Sequence, residues 1–111
     1  MLSIVKIVIC ILTAATGAFS LILPNSTIHF TGLQPIGGRG ISEIRAVLGG
    51  LFIALGVAPI LLKGDTYTML GWAYLGIALV RIVSIFVDSS PVQSNWISLA
   101  VEVLFGIVLI L

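Results

Sequence analysis

The sequence predicts an all-α fold, an integral membrane up-and-down four-helix bundle. Three observations carry that prediction. Of 111 residues, 59% are hydrophobic and only 8% are charged, whereas a soluble domain carries roughly 25% charged residues. Mean hydropathy is +1.30. The apolar residues fall into four runs, each near the ~20 residues that a helix needs to cross a bilayer. Tight turns between consecutive helices make neighbours antiparallel, and one transmembrane domain over residues 1–111 accommodates them all.

The first helix is expected from Leu2 to Leu23, ended by Pro24-Asn25-Ser26. Lys6 followed by an apolar core, with Thr16-Gly17-Ala18 as a cleavage-like site, imitates a secretory leader. The apolar run continues through Phe19 and Leu23 to spanning length, so the segment is read as a retained span. The second helix is expected from Ile41 to Leu62, stopped by Lys63-Gly64-Asp65. The third runs from Thr66 to Val87, with Asp65 or Thr66 as N-cap. Asp88-Ser89-Ser90-Pro91 ends it. The fourth starts at Ser94 or Asn95, either suited to capping, and runs to Leu111. Tyr67, Trp72, Tyr74 and Trp96 stand near helix ends, as interfacial aromatics do.

Only the first connection, Pro24 to Gly40, is long. Ile28, Phe30, Leu33 and Ile36 make it too apolar for free solution. It is expected to lie on the membrane surface or fold over the bundle mouth. Its Gly37-Gly38-Arg39-Gly40 lacks the lysine and Ser/Thr of a phosphate-binding loop. It reads as a flexible approach to the second helix or a small anion nest.

Composition also excludes classes of function. Net charge is +1, so there is no basic footprint for nucleic acid. The single cysteine, Cys10, lies in an apolar run and reads as a small buried hydrophobe. His29 is the only histidine. No metal site and no nucleophile–base set is expected, nor any cofactor, and the chain is read as non-enzymatic.

The informative residues are charges inside apolar helices. An Arg or Asp at mid-membrane costs roughly 2.5–3.5 kcal/mol on insertion scales, so each needs a partner or a role. Arg45 lies ~6 Å along the second helix from its loop end, at 1.5 Å per residue. Arg81 is seven residues before Asp88 and Glu102 seven after Asn95, placing each ~10 Å from the same face. Glu43, Arg45, Arg81, Ser84, Asp88 and Glu102 are therefore expected to form one intramembrane polar cluster under the long loop. Arg81 and Glu102, at equal depth on consecutive helices, are the expected pair. Asp88, on the same helical stripe as Arg81, is the competitor. Gly49, Gly50, Gly56 and Gly106 are expected to allow close helix approach. Three carboxylates meet two guanidiniums, with Arg39 in the loop as a third cation.

These residues carry a resemblance. Gly17 and Pro24, then Gly40-x-x-Glu43-x-Arg45-Ala46-x-x-Gly49-Gly50, then Arg81-x-x-Ser84-x-x-x-Asp88, then Glu102, are similar to the pattern of a family of small bacterial four-helix membrane proteins of unknown function. The resemblance spans essentially the whole chain. Ser89 departs from it, because the family often has glycine there, which puts the shape of that turn in question. At fold level the chain also resembles the DoxX-like membrane proteins, some of which are subunits of quinone-linked oxidoreductases. The resemblance implies that the charged residues belong to one shared site, and it implies no reaction.

Two uses of the cluster follow. It locks the bundle of a small structural or accessory subunit, which meets a membrane protein partner or a second copy of itself. Alternatively, it binds a quinone or lipid, or passes protons or ions. Lys6 and Lys63 outnumber Arg39 on the opposite face, with Arg45 just inside it. The positive-inside rule then places both termini in the cytoplasm of a bacterial inner (plasma) membrane.

Overall fold

A computed structural model describes residues 1–111. The fold is all-α, with no strand. Four helices are long and apolar enough to cross a membrane: α1 Leu2–Ile22, α2 Gly37–Leu62, α3 Asp65–Val87 and α4 Gln93–Ile110. The chain divides into two compact units, Ile7–Leu62 and Met1–Lys6 with Lys63–Leu111.

In the unit Ile7–Leu62, α1 buries Ile9, Cys10, Thr13, Gly17 and Ser20. This 3–4-residue spacing is one stripe of a helix. The hydroxyls on that helix are satisfied locally: Thr13 donates to the Ile9 carbonyl at 2.8 Å and Ser20 to the Thr16 carbonyl at 3.0 Å. Glycines let α2 run antiparallel to α1 at backbone distance. A Cβ on Gly17 would stand 2.6 Å from the Gly49 carbonyl oxygen, and one on Gly56 would collide with the Cys10 carbonyl. Gly50 does not share this role, because a Cβ there meets only the Arg45 carbonyl at 3.9 Å. It faces away from α1, one residue round the helix from Gly49.

The helix α2 starts earlier than its sequence suggests. Gly37-Gly38-Arg39-Gly40 is its first turn rather than a flexible approach. Arg39 Nε donates to Glu43 Oε1 at 3.1 Å across one helical turn, an i,i+4 pair that supports the glycine-rich start. Next comes a π-helical segment, Ile44–Leu51, before regular α geometry resumes at Phe52. Pro59 removes one amide donor near the end.

The connection between α1 and α2 is ordered. A 3-10 turn, Pro24–Thr27, leads into one α turn, Ile28–Thr31, closed by Gly32 at φ 77°. The buried Thr27 hydroxyl lies 2.8 Å from the Pro24 carbonyl and 3.0 Å from that of Leu33. Phe30 meets Phe19 of α1 edge to face, with centroids 5.1 Å apart. Ile36, by contrast, is 89% exposed.

In the other unit, α3 and α4 form an antiparallel hairpin joined by Asp88–Val92. The buried residues Gly71, Ala78 and Ile85 of α3 recur every seven positions. They form a narrow seam, met by Glu102, Gly106 and Leu109 of α4. A Cβ on Gly71 would lie 2.9 Å from the Gly106 carbonyl, so both glycines are needed for the approach. Tyr74 stacks edge to face on Phe105, and Phe86 on Trp96. Lys6, at the start of α1, holds its ammonium 5.7 Å from the centre of the Tyr67 ring.

The helix caps differ from their expected form. Gly64, not Asp65 or Thr66, is the N-cap of α3. Its φ of 55° and ψ of −128° is a conformation that only glycine holds easily. Lys63 before it also has a positive φ, 57°, and the Thr66 hydroxyl donates back to the Lys63 carbonyl. At α4 the N-cap is Val92, not Ser94 or Asn95. Asn95 sits within the first turn because its side chain is used elsewhere.

Candidate functional site

The centre of the site is Arg81, six residues before the end of α3. Its Nε donates to Glu102 Oε1 and its Nη2 to Glu102 Oε2, both at 2.7 Å. This fork matches the planar guanidinium to the carboxylate. Nη1 donates to Asn95 Oδ1 at 2.9 Å, and the Asn95 amide donates to the Ser90 carbonyl at 3.0 Å. The Glu102 side chain is 11% exposed and that of Arg81 29%. Three separate stretches, α3, the turn after it and α4, are thereby joined through one side chain. No buried side-chain nitrogen or oxygen lacks a hydrogen-bond partner, which is the condition for holding such groups away from water.

Asp88 does not compete for Arg81. It accepts a hydrogen bond from Ser84, one turn earlier on α3, and is exposed. The Schellman-type turn that follows explains its direction. The Asp88 amide donates to the Ser84 carbonyl at 2.8 Å and the Ser90 amide to that of Ile85 at 3.0 Å. Ser89 adopts φ 50°, so the turn takes the glycine-like shape despite its serine.

The charges of α2 are bonded within their own unit. Arg45 Nε donates to the Leu21 carbonyl at 3.1 Å. Leu21 lies in the last turn of α1, whose carbonyls have no helical partner and carry the negative end of the dipole. Arg45 is thus a C-terminal cap for α1. Glu43 is not a buried member of a cluster: its side chain is 55% exposed and paired with Arg39, itself 86% exposed. Two residues apart on a helix, Glu43 and Arg45 point in nearly opposite directions, so they take different partners.

Asn95 is the member that its sequence context conceals, since an asparagine shortly after a proline reads as a helix cap. Its spacing to Glu102, i to i+7, is the signal that places both on one face of α4. Beside these residues a groove of about 480 Å³ opens on the α3–α4 hairpin, lined by Gly76, Ile77, Val80, Arg81, Ser84 and Asn95. A smaller one, about 330 Å³, lies on the other unit between Leu12, Ala15, Thr16, Phe19 and Phe30.

The chain belongs to a family described as a domain of unknown function (DUF4345), with the match covering residues 1–111. No curated protein and no solved structure matches it.

Proposed function

We propose that this chain is a small, non-catalytic integral membrane protein, a structural or accessory subunit whose Arg81–Glu102–Asn95 network fixes one helical hairpin inside the bilayer. The observation that carries this reading is that the Glu102 carboxylate is matched by a single guanidinium. Both oxygens of Glu102 are engaged by one guanidinium, so neither is left to act as a base or to relay a proton. Membrane insertion is supported by the outward faces: only 17–22% of the residues in each span are buried. Leu79, Val80, Val83, Phe86 and Leu104 are among the many apolar side chains left outside. In water such faces mark an interaction surface; in lipid they are solvated. A protein partner or second copy in the membrane covers part of them.

Native mass spectrometry of the protein extracted from membranes in mild detergent tests the accessory role. The expected result is a fixed ratio to a second membrane protein or to another copy. A protein that is monomeric and free of protein partners under every mild extraction overturns it. A second reading, binding of a small membrane amphiphile, is favoured by the groove that opens beside Arg81.

A further inference from the structure

Gly76 stands on the wall of the groove beside Arg81, in the middle of α3. Glycine inside a helix is destabilising relative to alanine, because the unfolded chain loses more freedom on ordering. At Gly71 and Gly106 the absence of a side chain is required: a Cβ on Gly106 would lie 2.6 Å from Leu75 Cδ2. At Gly76 a Cβ would meet nothing within 4 Å. The hairpin's own packing makes no use of this glycine. It leaves the groove wall without a side chain there, next to the apolar side chains of Ile77 and Val80.

The polar end of the groove has an excess of donors. A guanidinium carries five N–H groups. Two are spent on Glu102 and one on Asn95, leaving one on Nη1 and one on Nη2. The Asn95 amide spends one N–H on the Ser90 carbonyl and keeps another. The Ser84 proton is directed to Asp88. Charge is already balanced, because Glu102 neutralises Arg81 and the Asp88 carboxylate stands behind Ser84. An anionic head would find no unmatched cation, whereas a neutral acceptor finds free donors.

We infer that this groove binds a membrane amphiphile through an uncharged carbonyl oxygen, which accepts from Arg81 and Asn95 while an apolar body lies along Gly76, Ile77 and Val80. The inference rests on the ligand reading above and names its chemistry. The volume, about 480 Å³, falls within the roughly 300–1,000 Å³ of small-molecule sites. Asn95 is in the first turn of α4, so its free donor lies near the helix end, with those of Arg81 deeper along the hairpin. A neighbouring transmembrane helix suits the site less well, since its backbone carbonyls are already spent on its own hydrogen bonds. Two membrane molecules share the chemistry: the ester carbonyl of a glycerolipid and the ring carbonyl of a quinone.

The full chain in detergent is offered dioleoyl phosphatidylcholine, its diether analogue without ester carbonyls, or decylubiquinone. Retained molecules are counted by native mass spectrometry for wild type and Gly76→Leu. The expected result is one molecule of ester lipid or quinone on the wild type, retained at least about tenfold better than the diether lipid. Gly76→Leu should lower that retention by about tenfold with unchanged helicity and melting. The better-retained probe identifies the source. Equal retention of ester and diether lipid, or indifference to Gly76→Leu, overturns the groove inference. No retention of any probe overturns the ligand reading as a whole. A protein lost from the wild-type complex on Gly76→Leu, with lipid unaffected, shows a partner helix there and also overturns it. If Gly76→Leu does not fold, the ester–diether comparison on the wild type decides alone.

Discussion

Ser89 holds φ 50° in a position where glycine is favoured, because a Cβ in the left-handed region crowds the following carbonyl. Ser89→Gly should therefore stabilise the protein by roughly 0.5–1 kcal/mol, read as a higher midpoint in detergent unfolding. A loss of stability would show that the serine hydroxyl contributes more than its strain. Arg81 presents the opposite case, a residue whose partners decide everything. Arg81→Met or Glu102→Gln should each cost about 3–5 kcal/mol, since each strands a buried polar group. The double change should cost less than the two together by about 1–3 kcal/mol. Simple additivity of the two effects would mean that the fork contributes no direct coupling. Counting residues from each helix end is enough to set Arg81 opposite Glu102, because helical rise is fixed. Asn95 is not legible in that way. Its side chain turns inward to Ser90 and Arg81; the spacing to Glu102 gives the shared face, but the path of the turn decides that the asparagine gives up the cap.

At the scale of elements, hydropathy locates the four helices and meets the ends at Leu2, Leu62 and Val87, while the other ends differ by one to four residues. The larger error, at α2, comes from glycines. Three of them in Gly37–Gly40 read as loop, yet the Arg39–Glu43 pair and the turn before it carry helix through. The π segment Ile44–Leu51 is invisible in the sequence for a related reason. An i→i+5 pattern has no propensity signature and is stabilised by what packs around it. Here that is Leu21, whose backbone lies 3.2 Å from where a Gly49 Cβ would be, and whose carbonyl Arg45 caps. The two neighbouring glycines should consequently behave differently. Gly49→Ala should destabilise the α1–α2 pair by roughly 1–3 kcal/mol through overpacking. Gly50→Ala meets only ordinary contact and should be neutral or stabilising by up to about 1 kcal/mol. Thermal melts of the two variants side by side check this, and equal losses would refute the assigned faces.

For the whole molecule, the sequence predicts an even number of spans, and four helices meet the length and hydropathy needed. Whether all four cross the bilayer decides on which side each connection lies. Four crossings put Met1 and Leu111 on one side, with Pro24–Ile36 on the other. Lys6 and Lys63 then share the side of the termini, and Arg39 takes the opposite one, so the positive-inside rule favours termini in the cytoplasm. Arg45, bonded to the Leu21 carbonyl, is held at a helix end and counts for little in a loop, which leaves Lys6 and Lys63 set against Arg39 alone. Adding lysines to the α2–α3 turn should leave the orientation unchanged, whereas adding them to Pro24–Ile36 should weaken or invert it. Cysteines placed one at a time at Ser3, Asn25 and Asp65, in a Cys10→Ala background, measure this with a membrane-impermeant thiol reagent on intact cells. Labelling at residue 25 alone is the expected pattern. Labelling at residues 3 and 65 alone means an inverted molecule with the same four spans. Labelling that separates residue 3 from residue 65 would require α1 and α2 not to cross as a pair, and would overturn the four-span topology.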